Sequence, residues 1–498
     1  MITLNDYNVD GGEGESGFLG DQGTGEASLL KAMQAGQITG RDTTNLPLTQ
    51  EPLKVESLEE SFKLLENRAK DIKLLNAMPK MTAYNTVEEF LQLVSYGAQR
   101  GGFYDEGELS DVEDSTYERR SVQVKYMQVT GEVTLQAQMV RSYVKAMSQE
   151  VKNKMMWITR LANTWMTRGD SSVIPQQFDG IFKQHESVGS GTGYLYSTYE
   201  QYYQSGSVID LRGGIMNQAS IENGAVFVDE AFGDVTDIFA PTGVISAFTQ
   251  DYYTTQRILQ NGTAFNGTIG VGNMKSVSTT IGDVNLNSDK MMKRGPLKYT
   301  TTPADSTKAP AAPASLTASV VADTVAKFTS GEAGNVFYAV VAVNRYGESN
   351  LTAYGTAVTL AAGFSVDLTI TPGSGAIAPS GYNIYRTKVT TASTPSGLKF
   401  YPIQKVSVSQ LAAGFNGAAA NVARDRGYFM PGTEDGFLTA FNDEVLSWKQ
   451  LAPLSKLDLA VLSMSRRFIC FMFGTPALYA IKKIVRFINA KSTNAVDN

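Results

Sequence analysis

Side chains that could do acid–base, nucleophilic or metal chemistry are scarce in this sequence of 498 residues. It contains one histidine, His185, and one cysteine, Cys470, so a Ser-His-Asp or Cys-His arrangement has to include one of them. His185 lies in the Gly/Ser-rich stretch IFKQHESVGSGTG, which predicts an exposed loop histidine rather than a catalytic one. Cys470 lies in the apolar run FICFMF, which predicts a buried thiol that packs as a small hydrophobic group.

Metal and nucleotide sites are not indicated either. One histidine and one cysteine in distant segments give no zinc-ligand spacing, and the acidic stretch near residue 110 lacks the fixed positions of a calcium loop. The phosphate-binding pattern G-x-x-x-x-G-K-[ST] does not occur. A carboxylate pair for glycoside hydrolysis stays open, because any two acids can meet in space. We therefore expect a protein with no catalytic residues, no cofactor and no bound metal.

The densest group of ionisable side chains is acidic. Seven carboxylates lie close together, with no Lys or Arg between residues 101 and 118: Asp105, Glu106, Glu108, Asp111, Glu113, Asp114 and Glu118. Like charges at this density repel one another and favour an extended, solvated segment. We predict that this acidic stretch acts as a clamp by binding basic side chains of a neighbouring chain.

The longest helical pattern follows the acidic stretch. Apolar side chains recur through residues 137–168 at Val140, Val144, Met147, Val151, Met155, Ile158, Ala162 and Trp165. This spacing predicts one helix, about 48 Å long at about 1.5 Å of rise per residue. Its buried seam should include Val144, Val151, Ile158 and Trp165. A single helix of this length is typical of a structural protein.

Other patterns place further elements along the chain. A capping box formed by Ser57 and Glu60 opens a helix predicted over 57–78, and strand-like alternation runs through 119–136. A helix is predicted within 214–233, and a strand, a turn and a second helix within 236–259. Alternating strands and helices indicate an α/β or α+β domain, and we expect an α+β fold for the whole chain.

Composition changes sharply near residue 300. A Pro/Ala/Thr linker (299–316) leads into short β-patterned pieces separated by Gly, Pro and Ser. These pieces predict an antiparallel sandwich over 308–433, similar to an immunoglobulin or fibronectin type III module. Mixed α/β patterning returns in 434–498, so we predict that the sandwich is an insertion.

Composition and charge exclude some classes of partner. The chain is 42% hydrophobic with a formal net charge of −6, so it can bury several cores and has no electrostatic need to bind nucleic acid tightly. The first residues, MITLNDYNVDGGEGE, carry acids where a secretory signal needs bases. The apolar run 468–481 is too short to span a bilayer. We expect a protein that is used inside a cell and has no membrane partner.

Taken in order, these segments resemble the major capsid proteins of tailed bacteriophages, which have the Hong Kong ninety-seven type fold. The segments that carry the resemblance are SLLKAMQAGQITG (28–40), YNTVEEFLQLVSYG (84–97), DSTYERRSVQVKYM (114–127), PQQFDGI (175–181), DEVLSWKQLAPLSKLDLA (443–460) and FGTPALYAIKKIVRFINA (473–490). The resemblance covers nearly the whole chain outside 300–433.

The resemblance implies a phage major capsid fold with an inserted sandwich. The divisions it implies are an N-terminal arm (1–56), a capped helix and the start of the peripheral domain (57–94), the tip of an extended loop (95–118), a returning strand and spine helix of the peripheral domain (119–184), an axial domain and return to the peripheral domain (185–300), the inserted module (308–433) and a C-terminal return to the axial and peripheral domains (434–498). Some family members crosslink a loop lysine to an asparagine of a neighbour. Residues 95–118 contain no lysine, which argues against that reaction here.

The function that the resemblance implies is self-assembly. Hexamers and pentamers of the chain would form an icosahedral shell around non-specifically packaged double-stranded DNA, with portal and scaffolding proteins as further partners. Assembly would take place in the host cytoplasm, and the product would be the virion capsid. Two other classes stay open: a phage tail, baseplate or surface-decoration protein, and an enzyme with a fibronectin-like module.

Overall fold

The computed structural model describes residues 69–97, 103, 105–107, 114–139, 146–186, 207–255, 275–295, 307–461 and 464–493. The chain divides into two compact units, Met1–Glu66 and Asn67–Asn498. All of the described residues belong to the second unit. The predicted arm (1–56) lies outside the described residues.

The strands fall into three groups along the chain. The first group is β1 (Lys80–Thr82), β2 (Val87–Ser95), β3 (Thr116–Gln123), β4 (Lys125–Thr134), β5 (Val208–Asp210), β6 (Asp237–Ala240), β7 (Ser276–Ser278) and β8 (Asp283–Ser288). The second is β9 (Ser315–Ala322), β10 (Gly334–Val336), β11 (Tyr338–Asn344), β12 (Gly347–Glu348), β13 (Thr352–Ala353), β14 (Val358–Leu360), β15 (Phe364–Thr371), β16 (Gly381–Arg386), β17 (Tyr401–Ser407) and β18 (Val422–Asp425). The third is β19 (Thr433–Thr439), β20 (Leu446–Asp458), β21 (Ser465–Leu478) and β22 (Ile484–Lys491).

Helices lie mainly before the second group of strands. They are α1 (Leu74–Ala77), α2 (Leu135–Met139), α3 (Ala146–Arg168), α4 (Ile181–Glu186), α5 (Gln218–Glu230), α6 (Thr242–Thr255) and α7 (Val408–Ala413). Short 3-10 turns occupy Ala69–Asp71, Lys290–Met292, Ser330–Glu332 and Ile481–Lys483. Local sequence explains the start of α5, because the Asn217 side chain accepts a hydrogen bond from the Ser220 amide at 2.9 Å.

Two mixed sheets form the body of the second unit. In one sheet, the strand order is β1-β20-β21-β4, and in the other it is β5-β22-β19-β6-β8-β7. Each sheet therefore contains strands from both the first and the third groups. The chain leaves the body after β8 and re-enters it at β19, so the second group of strands lies between parts of the body that pair with each other.

Two hydrophobic cores stabilise the body, and the first also includes Phe239 and Phe437 of the six-stranded sheet. Ile158, Ala162 and Met166 of α3 pack with Trp448, Phe468 and Cys470 of the four-stranded sheet. Side chains of α5 and α6, among them Ile221, Val228 and Phe248, pack with Leu438, Val485 and Phe487 of the six-stranded sheet. The fold of the described residues is therefore mixed α/β and rich in strands.

Eight of the ten strands in the second group form two antiparallel sheets that share a core, and β10 and β14 pair separately. One is β12-β11-β16-β17, with β13 also paired to β11, and the other is β18-β15-β9. Alternate residues of β11, Tyr338, Val340 and Ala342, pack against Leu316 and Leu368 of the other sheet. We call residues 307–427 the two-sheet unit.

Strand β11 is buried on both of its faces. The residues that point away from the shared core, Ala339, Val341 and Val343, pack in a second cluster with Val173. Val173 lies in the loop after α3, and its Cγ1 atom packs against Gly381 of β16. A Cβ atom on residue 381 would lie only 2.6 Å from that Cγ1 atom. The two-sheet unit therefore packs directly against the loop that follows α3.

The predicted helix over 57–78 is wrong in its described part. A 3-10 turn and the four-residue helix α1 replace one continuous helix there. The Leu74 amide donates to Asp289 at 3.2 Å, and the Leu75 amide donates to Asn163 at 2.9 Å. These amides therefore bond to distant side chains instead of to carbonyls of a preceding helical turn, which ends the helical ladder.

Candidate functional site

Strands β2 and β3 form an antiparallel ribbon that pairs with no other strand in the described chain. One face of this ribbon lies against the body. The Phe90 ring packs edge-on against the Tyr479 ring, with centroids 4.8 Å apart, and the Gln92 side-chain amide donates to the Tyr479 carbonyl. An isolated two-stranded ribbon is only marginally stable in water, so these contacts help to hold it in place.

The opposite face of the ribbon is exposed and carries four apolar side chains beside polar ones, including the Arg119–Glu89 ion pair at 3.2 Å. Leu91 and Tyr117 are 68% and 65% exposed, and Val87 and Leu93 are 42% and 41% exposed. Leu93 and Tyr117 are direct partners in the strand register. We call these four residues the outer ribbon face. Apolar side chains clustered on a surface ribbon are typical of an interface that another chain covers.

The acidic stretch lies at the end of this ribbon, and the structure describes part of it. Asp105, Glu106 and Asp114 are exposed, whereas Glu108, Asp111 and Glu113 lie outside the described residues. Glu118 lies in β3, where its carboxylate is 3.6 Å from Arg120. Phe103, beside the acids, has a fully exposed side chain. The described acids are therefore free to face a second chain, except for Glu118, which already has a basic neighbour.

The buried residues of the long helix differ from those of the predicted seam. Ile158 is fully buried, Val151 and Trp165 are partly buried against the same core, and Val144 lies outside the described residues. The fully buried stripe runs instead through Ile158, Ala162 and Met166. A spacing of seven residues drifts by about 20° per repeat on a straight helix, so positions 151 and 165 turn away from the centre of the core.

The expectation of an exposed His185 is wrong. His185 lies in α4 and is 2% exposed. Burial and the positive charge of Arg486 lower its pKa to about 3. The glycines that suggested a loop begin at Gly189, after α4 ends. Cys470, by contrast, is buried as predicted, and burial raises its pKa.

Charged side chains surround a cavity of about 370 Å³ between α3, α4 and the two-sheet unit. Arg486 binds Glu186 and Asp435, the latter at 3.0 Å. Asp435 is also paired with Arg294. Burial by itself would raise the pKa of Asp435, but the positive charges of Arg294 and Arg486 outweigh that effect, so the pKa is lowered. The sequence pattern did not indicate this cavity, because the residues that form it lie up to about 300 positions apart in the chain.

Metal ligands do not cluster in the described part of the chain: no group of three or more His, Cys, Asp or Glu side chains is placed to hold an ion. Among the same residues, no helix is long and apolar enough to cross a membrane.

Comparison with known proteins links the chain to capsid proteins. It is 23% identical over 444 residues to a protein of Enterococcus phage phiEF24C, provisionally named a major capsid protein, with 88% of this chain and 90% of the relative aligned. It is 22% identical over 479 residues to the major capsid proteins of Staphylococcus phages S25-3 and K, with 94% of this chain and 95% of each relative aligned. No family model matches the chain.

Solved structures give remote similarities. The capsid of a native GTA particle aligns at 8% identity and a TM-score of 0.44, over 88% of this chain and 96% of the other. The capsid protein of Cyanophage P-SCSP1u aligns at 8% identity and a TM-score of 0.42, over 92% of this chain and 98% of the other. Likeness at these TM-scores carries no argument about fold or function.

Proposed function

We propose that this chain is the major capsid subunit of a tailed bacteriophage, many copies of which assemble into an icosahedral shell. The observation that carries the proposal is the alignment of 94% of this chain with 95% of staphylococcal phage major capsid proteins. Collinearity from end to end means that the subunit as a whole, not one shared module, is similar. Its role is structural, and its location is the virion capsid.

The outer ribbon face agrees with this function. A two-stranded ribbon that is anchored on one face and exposes apolar side chains on the other gains stability when a neighbouring subunit covers those side chains. Repeating one such contact around every subunit multiplies a modest affinity into a strong shell. The ribbon and the acidic stretch at its tip are, in this proposal, the extended loop of the capsid fold.

The finer architecture is also part of the proposal. Helix α3 is the spine helix of a Hong Kong ninety-seven type peripheral domain, and the six-stranded sheet with α5 and α6 is the axial domain. The two-sheet unit is an inserted immunoglobulin or fibronectin III-like sandwich, because β20 and β21 after it pair with β1 and β4 before it. Packaged double-stranded DNA, a portal and scaffolding proteins are the proposed partners, and assembly takes place in the host cytoplasm.

Electron microscopy of the purified full chain, alone and co-expressed with scaffolding and portal proteins of the same phage, tests the proposal. A capsid subunit should form closed shells or hexameric and pentameric rings. Fibres or discs would instead indicate a tail or baseplate protein. Dispersed monomers under every co-expression condition would contradict the proposal and favour an enzyme with an appended fibronectin-like module.

A further inference from the structure

The charged cavity contains more donors than its own acceptors can use. Among the described residues, six Lys and Arg and four Asp and Glu line it. Each of the four acids already has a polar partner: Glu186 and Asp435 bind Arg486, Asp170 binds Lys183 at 3.2 Å, and Glu348 accepts from Asn383 at 2.9 Å. Arg168 has only a long contact of 3.6 Å, to Glu434.

Several buried donors in the cavity wall have no hydrogen-bond partner among the residues that the structure describes. They are Nε and Nη2 of Arg168, Nη1 of Arg294 and Nε2 of Gln404. The Arg294 side chain and the whole of Gln404 are each only 8% exposed. A buried donor without a partner costs about 1–3 kcal/mol, and more when it is charged. These donors line one cavity, although they come from two segments of the body and one strand of the two-sheet unit. The arrangement favours a ligand rich in hydrogen-bond acceptors.

We propose that this cavity binds a small tetrahedral oxyanion, inorganic phosphate in the simplest case, between the body and the two-sheet unit. Arg168, Arg294 and Gln404 would donate to its oxygens, and Lys405, whose ammonium group lies 4.8 Å from the Trp165 ring centroid, would supply further positive charge. Oδ1 of Asn383 also has no hydrogen-bond partner in the described part of the chain, and it suits the P–OH group of a monoprotonated phosphate.

Electrostatics supports the same conclusion. Burial lowers the pKa of Arg168 to about 10 and that of Lys405 to about 8. Their charged forms are thus disfavoured by desolvation, and a bound anion would offset that cost. Since the donors come from α3, the loop around Arg294 and strand β17, the anion would also tie the two-sheet unit to the body. This inference concerns the single subunit and does not rest on shell assembly.

Isothermal titration of the soluble full-length subunit with inorganic phosphate, at constant ionic strength set by chloride, tests the inference. We expect saturable binding of one phosphate per subunit and a rise in the thermal midpoint with phosphate. Sulfate should bind more weakly, since it has no O–H group for Asn383. The absence of saturable phosphate binding would overturn the proposal, because water would then satisfy the donors.

Two variants and a matched control localise the site. Arg294→Gln should weaken phosphate binding at least about tenfold, since charge-assisted hydrogen bonds are the strong ones. Gln404→Leu removes a donor without changing charge and keeps the test valid if loss of the Arg294–Asp435 pair impairs folding. Lys482→Gln removes one charge from an exposed position outside the cavity and should leave binding unchanged.

The remaining outcomes are decisive as well. Equal weakening by Lys482→Gln and Arg294→Gln would mean that only overall charge matters, and the site would be wrong. Competition by a short DNA duplex at equal phosphate concentration would show that the surface takes backbone phosphodiesters instead of a small anion, which also contradicts the proposal. Shell formation is scored separately by microscopy, so failure of the anion site and failure of the capsid function give different results.

Discussion

The ammonium group of Lys405 lies 4.8 Å from the centroid of the Trp165 ring. The same group donates to the carbonyl of Arg168 at 3.1 Å. Trp165 belongs to the end of α3 and Lys405 to β17, so one side chain of the two-sheet unit covers the aromatic ring and the last carbonyls of the long helix. Cation–π contacts of this kind contribute about 0.5–2 kcal/mol, depending on desolvation.

Replacing Trp165 tests that junction. Trp165→Ala should lower the free energy of unfolding by about 2–3 kcal/mol, somewhat less than for a fully buried aromatic ring, because Trp165 is only partly buried. Trp157 lies on the same helix and is 47% exposed, which makes Trp157→Ala a matched control that should cost under about 1 kcal/mol. Denaturant unfolding of the soluble subunit measures both. Equal losses would show that the junction contributes little.

Excision of the two-sheet unit tests its autonomy. Replacing residues 308–427 by a flexible Gly/Ser linker long enough to span the ends should leave shell formation intact and remove density from the shell seen by microscopy. Because the excision uncovers Val173 and Ile174, which pack against the unit, the variant should also carry Val173→Ser and Ile174→Ser. The excised unit, expressed alone, should fold cooperatively. A linker variant that builds no hexamers would assign the unit to the assembly interface instead.

The acidic clamp predicts a salt-dependent interface. Changing Asp111→Asn, Glu113→Gln and Asp114→Asn together should weaken assembly at low salt and leave the thermal midpoint of the subunit nearly unchanged. Each exposed ion pair contributes only about 0–1 kcal/mol, but the contact repeats around every subunit. High salt should reduce the difference, since the screening length falls from about 10 Å at 0.1 M to about 3 Å at 1 M. Light scattering across a salt series measures it; identical yields and salt profiles would refute the clamp.

The outer ribbon face predicts a salt-insensitive contribution to the same interface. The double change Leu91→Gln and Tyr117→Gln should raise the concentration needed for assembly at both low and high salt, because burial of apolar area is worth about 25 cal/mol per Å² and is not screened. Val320, on β9 of the two-sheet unit, is 44% exposed, so Val320→Gln serves as the control. If the double variant assembles like the control, the outer ribbon face stays solvated in the shell.

The buried His185 predicts a loss of stability in acid. Its pKa is lowered from about 6.5 in an unfolded chain to about 3 in the folded protein. The unfolded state therefore binds the proton first, and the free energy of unfolding falls as the pH drops from about 6.5 towards 3. The full loss is on the order of 5 kcal/mol, since one pKa unit corresponds to about 1.4 kcal/mol.

His185→Gln isolates this effect from the carboxylates that titrate over the same range. Burial raises the pKa of Glu186 and Glu434, which opposes the effect of His185, so the difference between the parent and the variant is the quantity to measure. The parent should lose stability more steeply than His185→Gln between pH 6.5 and pH 4. Parallel curves would mean that His185 does not become protonated on unfolding.

Local patterns indicated several of the elements of the fold. The apolar spacing within 137–168 corresponds to α2 and α3 in its described parts, and the segments 214–233 and 236–259 contain α5, β6 and α6. Cys470 is buried because an apolar run around a thiol seeks a core. The ordered set of segments indicated a capsid subunit, in agreement with relatives that align end to end with this chain. The spacing of apolar residues and the order of segments along the chain can be read directly from the sequence.

Only the tertiary structure decided which side chains meet. The break before α1 depends on Asp289, more than 200 positions from Leu74, and Lys405 reaches Trp165 from a strand that lies equally far along the chain. His185 is buried because α4 packs on strands near the C-terminus, although a Gly/Ser-rich stretch begins shortly after it in the sequence. The charged cavity likewise joins distant segments. Burial and charge pairing depend on which residues are close in space. Contacts between segments hundreds of residues apart determine that proximity, and local sequence spacing does not.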